Sequence, residues 1–321
     1  MEETKRLTTT AMMIALSVAI GLILYFLPWI QGLVFLIAIP LVIVGVKYKY
    51  KYQGLALLAV LLIILIVDPI YALTTLFLIG PLSFLLTYGI SNKKNNSETI
   101  FLSGLAVFFS LVALLLLVQN VLDIKIIDET MAMVDVTIDE IKEMYIGSDV
   151  LNEAEKIQAI ELFETQRTTM KILMPSFMFI YAMMNGLLAF LFTKFIFKRI
   201  GMPINIGKFK DFRISREKRG VLLVVIIVIT LGAMIDKENG ETYILNFTSL
   251  LMMLLQINAM ALIWFKTDKH PQKKLLRSGS ILLLLLSSFL GTIGMIYKYA
   301  LSILGFLDMH VDFRKKDKHL E

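Results

Sequence analysis

The sequence predicts an all-α fold: a polytopic helical membrane protein with about eight to ten membrane segments and an extracytosolic helical insertion. Three observations carry this. Hydrophobic residues make up 57% of the 321-residue chain, at a mean hydropathy of +0.76, well beyond a soluble domain of this length. Apolar runs recur from end to end, several long enough to cross about 30 Å of hydrocarbon at about 1.5 Å per residue. The polar segments between them alternate between basic and acidic.

A first span covers 10–27. Pro28-Trp29 leads straight into the next apolar run without a small-residue cleavage site, so the segment reads as a retained helix rather than a signal peptide. Spans at 31–46 and 53–67 flank Lys47-Tyr48-Lys49-Tyr50-Lys51-Tyr52, whose lysines favour the cytosolic face and whose tyrosines suit the headgroup interface. Asp68-Pro69 marks a turn into a span at 70–90, because a proline drives the residue before it out of the helical region. A fifth span covers 99–122.

Residues 123–170 are too charged for the membrane, yet Ile138, Ile141, Met144 and Tyr145, then Ile157, Ile160 and Phe163, recur at helical spacing. Gly147-Ser148-Asp149 interrupts the pattern. Asp149 is placed to cap a second arm that runs on into a span at 171–197. Spans at 219–235 and 243–265 follow. The last run, Leu275–Leu307, divides into helices near 275–291 and 294–309 around Gly291-Thr292-Ile293-Gly294, since a single span would leave Arg314-Lys315-Lys316 outside. Three regions result: N-terminal membrane helices (1–122), an acidic extracytosolic insertion (123–170), and C-terminal membrane helices with basic loops and tail (171–321).

Charge sets the orientation. Residues 194–219 hold nine basic against two acidic side chains, and 266–277 five against one; residues 123–167 hold four basic against twelve acidic. Lys and Arg are retained on the cytoplasmic side, so the basic segments and the N-terminus, with Lys5 and Arg6, are expected in the cytosol of a bacterial cell, the chain lying in its plasma membrane. That distribution accounts for the net charge of +6 by topology and argues against nucleic acid as a partner; the lipid bilayer is the expected one.

Catalysis has little to stand on. With no cysteine there is no disulfide, thiolate nucleophile or Cys-ligated metal. His270, His310 and His319 lack metal-ligand spacing, no phosphate-binding glycine loop occurs, and no Asp, Glu, His, Lys or Arg sits in the middle of the first eight spans. No enzyme activity, metal or cofactor is expected. Neutral polar residues within spans are the remaining candidates: Asn185 beside Gly186, Asn246, Gln256, Asn258, and Gln119 with Asn120 at the end of the fifth span. Hydrogen bonds between helices are their commonest use, since a bare amide in hydrocarbon is costly. Near the outer face, Trp29, Gln31, Asp68 and Tyr71, with Asn120 and Asn185, are candidates to line a small-molecule pocket. Asp308, Asp312 and Arg314 form a candidate C-terminal interface, with Asp308 expected to pair with a basic loop residue such as Arg199 or Arg219.

Ala11, Ala15 and Ala19 recur every fourth position on the first helix, a smooth stripe suited to close helix approach, most often within the same chain. With Thr4-Lys5-Arg6-Leu7-Thr8 before it, this stripe resembles the opening of the substrate-binding S components of energy-coupling factor transporters. That resemblance, over roughly residues 4–90, implies that the alanines contact a transmembrane coupling subunit and that a small molecule binds from outside. More of the chain resembles the YybS family of uncharacterised bacterial membrane proteins, through Gly305-Phe306-Leu307-Asp308 and Asp312-Phe313-Arg314-Lys315. Two functions stay open: small-molecule binding or transport of the S-component kind, and a non-catalytic structural or regulatory scaffold recruiting partners through its acidic cap or basic loops. A pocket lined by Trp29, Gln31, Asp68 and Asn120 favours the first; a filled bundle favours the second.

Overall fold

In hydrocarbon every backbone N–H and C=O must be satisfied within the protein, which leaves this chain the α-helix. The computed structural model describes residues 2–147, 152–202, 204, 209–214, 219–287, 291–311 and 313–314; among them are ten α-helices and no strand. Six stretches are apolar and long enough to cross a membrane: Glu3–Phe26, Pro28–Val67, Pro69–Ser91, Asn96–Val121, Glu153–Arg199 and Gly240–Lys266. The chain is an all-α, multi-pass membrane protein. It divides into two compact units, Met1–Ile206 and Gly207–Glu321.

In the first unit, α1 (Glu2–Phe26) is followed by a 3₁₀ segment (Pro28–Ile37), α2 (Ala38–Val67), α3 (Pro69–Ser91), α4 (Asn96–Val121), α5 (Ile126–Ile146) and α6 (Glu153–Arg199). The span expected from residue 31 is α-helical only from Ala38. Pro28 starts a tighter 3₁₀ winding, and Leu33 leaves helical dihedrals (φ −94°, ψ 15°). The α2 stretch is two helices joined at Lys49, whose φ of 71° and ψ of 170° break the run. A Cβ on Gly45 would collide with the side chain of Gln53, eight residues on; along a straight helix those positions are about 12 Å apart. The chain therefore turns back at the Lys-Tyr repeat, where the sequence places its return.

Helices α1 to α4 pack in order of sequence, and α6 closes on α4. Phe35, Ile37, Leu41, Ile64, Ile79, Leu82, Leu86, Phe190 and Phe197 fill the core. The α4–α6 crossing depends on two glycines: a Cβ on Gly186 would lie 2.8 Å from the Gly104 nitrogen and 3.0 Å from the Ile100 oxygen. Small residues let membrane helices approach to backbone contact in this way.

The insertion forms an arm of α5 and the first part of α6. Ser148 and Asp149 lie outside the described residues; the cap of α6 is Asn152, which accepts from the Glu155 N–H at 2.9 Å while the Glu155 carboxylate accepts from the Asn152 N–H at 3.0 Å. From there α6 runs 47 residues, about 70 Å, with Pro175 inside it, so the arm and the span belong to one continuous helix. Arg167 of α6 pairs with Asp135 (3.3 Å) and Asp139 of α5, Lys171 with Asp135 (3.0 Å), and Lys142 with Glu164. Tyr145 meets Phe163 edge-on at 5.2 Å.

The second unit holds α7 (Arg219–Ile235), α8 (Gly240–Lys266), α9 (Lys273–Leu286) and α10 (Gly291–Val311). The last apolar run holds two helices, as expected. Helix α10 already begins at Gly291 (φ +52°), so the Gly291–Gly294 stretch expected to form the turn is helical, and residues 288–290 lie outside the described ones. Helix α10 lies on α8 so closely that a Cβ on Gly305 would collide with the Leu255 carbonyl.

Candidate functional site

The face of α1 turned into the bundle carries Thr10, Ser17, Val18, Gly21 and Leu24, all buried, and the Ser17 hydroxyl donates to the Ile37 carbonyl at 3.1 Å. Ala11, Ala15 and Ala19 are exposed. Within the first unit the stripe lies on the side of α1 turned away from the 3₁₀ segment and α2.

At the far end of α1, Asp68 caps α3 by accepting from the Tyr71 N–H at 2.9 Å. It also accepts from the Tyr25 hydroxyl at 3.2 Å, and the Tyr71 hydroxyl donates to the Gly21 carbonyl at 3.0 Å. The Tyr71 N–H holds the Asp68 carboxyl below the usual carboxylate range, against a smaller upward push from burial. Of the proposed lining residues, Asp68 and Tyr71 are brought together. Trp29 is 78% exposed and Gln31 is exposed. Asn120 is exposed and donates to Leu116 of its own helix at 2.7 Å. Asn185 is buried and donates to Tyr181 of its own helix at 2.9 Å. A leucine-lined furrow runs beside this end between α2 and α3, past Leu58, Leu62, Leu65, Leu73 and Leu76, and Trp29, Gln31 and Asn120 are not part of it.

The C-terminal candidates form a built cluster. Asp308 has no exposed surface, and its Oδ2 lies 2.9 Å from Arg314. One Arg314 nitrogen donates to the Lys210 and Phe212 carbonyls at 2.8 and 2.7 Å, and the other also reaches the Asn258 carbonyl at 3.5 Å. Asn258 donates to the Gly305 carbonyl at 2.9 Å, so here an amide does join two helices, as Gln256 does toward Lys298 and Ser302. Among the described side chains of this unit Asp308 pairs with Arg314, six residues on, a partner that the expectation of Arg199 or Arg219 did not include. Asp312 lies outside the described residues. Nearby, Lys210 (2.5 Å) and Arg277 (3.0 Å) pair with Asp268 and draw its carboxyl down to about 2, the lysine contributing most.

Gln53 was not singled out by sequence. It is fully buried beside Gly45, and neither amide atom has a partner among the described residues. Its one signal was a polar residue where the Lys-Tyr repeat enters an apolar run. Among the described residues, no three His, Asp or Glu side chains are grouped to hold a metal.

A family model described as "Predicted membrane protein (DUF2232)" matches residues 15–309, and the chain belongs to this family. "Uncharacterized protein YybS" of Bacillus subtilis (strain 168) is 24% identical over 323 residues, covering 99% of this chain and all of that protein. The resemblance to YybS read from the C-terminal pattern holds over the whole length. No solved structure matches.

Proposed function

We propose that this DUF2232 chain is a non-catalytic scaffold of the bacterial plasma membrane that holds a second membrane protein through its first helix. The observation that carries the reading is the exposure of Ala11, Ala15 and Ala19 on a helix whose opposite face is buried in the bundle. Between membrane helices the hydrophobic effect offers little, and association rests on close packing, which small residues allow. The resemblance to S components gives the partner its kind: a transmembrane helix of a coupling-type subunit. Asp68, Asp268 and Asp308, which lie at the ends of the membrane helices, are engaged in capping or pairing, which supports a structural use for them over general acid or base work.

Small-molecule binding of the S-component kind is the second reading, favoured by the half-buried Asp68, Tyr25 and Tyr71 group at one end of the bundle. It shares the docking face and differs in needing a ligand.

Affinity purification of the chain in mild detergent, with mass spectrometry of retained proteins and small molecules, separates the two. For the scaffold, a membrane protein co-purifies and is lost from Ala15→Leu while thermal stability stays unchanged. Retention of the same partners by Ala15→Leu would show that the stripe faces lipid. A retained small molecule lost on Asp68→Asn favours the second reading.

A further inference from the structure

Helix α5 has two unlike faces. One is turned to α6: Ile138 is buried there, and Asp135, Asp139 and Lys142 are paired with Arg167, Lys171 and Glu164. At about 100° per residue, Glu129, Met133, Val136, Glu140, Glu143 and Met144 fall on the opposite face. Met133, Val136 and Met144 are 71%, 58% and 72% exposed. Glu129, Glu140 and Glu143 are exposed too, and no ion pair joins any of them to a described basic group.

Exposed apolar side chains on a membrane span are ordinary, because lipid covers them. Helix α5 is not one of the membrane-crossing stretches, and it packs on a part of α6 that precedes the span as part of one continuous helix. Met133 and Val136 lie one turn apart and Met144 about two turns beyond, with Glu140 between, so exposed apolar and acidic side chains alternate along this face, a pattern suited to an interaction surface. Methionines make such a surface adaptable to a helical partner. The carboxylates decide which helix. A second copy of this chain would set the same three glutamates against themselves. A helix with an apolar stripe flanked by Lys or Arg meets both features.

We propose that the outer face of α5 docks a basic amphipathic helix of a partner protein on the arm's side of the membrane. Met133, Val136 and Met144 take its apolar stripe, and Glu129, Glu140 and Glu143 take the flanking cations. This docking is independent of the one proposed for α1.

The test uses the full chain in nanodiscs of zwitterionic phosphatidylcholine, with empty discs as the blank. The probe is a fluorescent Leu/Lys helix of about five turns, amphipathic at the helical period, beside a scrambled peptide of equal composition. Fluorescence anisotropy should show saturable binding of the amphipathic peptide alone. Met133→Ser/Met144→Ser and Glu129→Gln/Glu140→Gln/Glu143→Gln should each weaken it by about tenfold or more. These side chains are exposed, so unchanged thermal stability checks the fold of both variants. No saturable binding, equal binding of the scrambled peptide, or indifference to the methionine variant overturns the proposal. So does a dimer in sedimentation that Met133→Ser/Met144→Ser dissolves, since the occupant is then a second copy.

Discussion

Asp308 and Arg314 form a pair whose worth lies in what each leaves behind. The carboxylate is fully buried, and the guanidinium, 8% exposed, also satisfies the carbonyls of Lys210 and Phe212. Removing one member strands the other in a dry site, which costs about 3–5 kcal/mol for a buried pair, whereas exposed pairs contribute about 0–1 kcal/mol. Asp308→Ala should therefore lower the thermal midpoint in detergent far more than Asp317→Ala in the charged tail. Arg314→Lys should fall near Asp308→Ala, because an ammonium keeps the charge but cannot span the same carbonyls. Equal, small effects from all three would mean that the cluster bears no load. Asp308 was legible because it abuts an apolar run. Its partner was not: the segment with nine basic residues offers many cations, and nothing in one dimension says that Arg314 is the one that reaches Asp308. For Asn185 the sequence raised the right place and the wrong neighbour. The amide bonds within its own helix, while the glycine beside it makes the crossing.

Helix α6 joins the arm to the bundle, and its Gly186, facing Gly104, sets with that glycine how closely it lies on α4. Around Gly186 the nearest atoms are backbone atoms of Gly104 and Ile100, which have no rotamer to give way. Gly186→Ala should then cost about 1–3 kcal/mol of stability as overpacking, despite the better helix propensity of alanine. Gly232 in α7 has nothing within 4 Å of a built Cβ, so Gly232→Ala should be neutral or stabilising by up to about 1 kcal/mol. Thermal unfolding of both variants decides; equal shifts would remove the close α4–α6 crossing. At this scale helices were readable because hydropathy and length are local properties. The 3₁₀ start at Pro28 and the tight α4–α6 and α8–α10 approaches were not, since they depend on which glycine faces which backbone.

Over the whole molecule, the alternation of basic and acidic segments is the strongest statement the chain makes, and it is one about insertion. By the retention of Lys and Arg, the N-terminus, the Lys-Tyr turn, the α3–α4 turn and the basic segment after α6 are expected on one side of the membrane, and the arm on the other. The fold is compatible: the chain reverses at Lys49, at Asp68 and again between Ser91 and Asn96, so each basic turn recurs after an even number of crossings. The sequence contains no cysteine, which makes the test direct. Lys93 and Glu143 are both exposed. A cysteine at Glu143 should react with an impermeant thiol reagent in intact cells, and one at Lys93 only after the membrane is opened. The opposite pattern would invert the protein and place the arm, with the partner proposed for it, in the cytosol. Labelling of both positions in intact cells would mean that the number of crossings between them is even. The span read between Asn96 and Val121 would then have to leave the membrane, against the hydropathy that defines it.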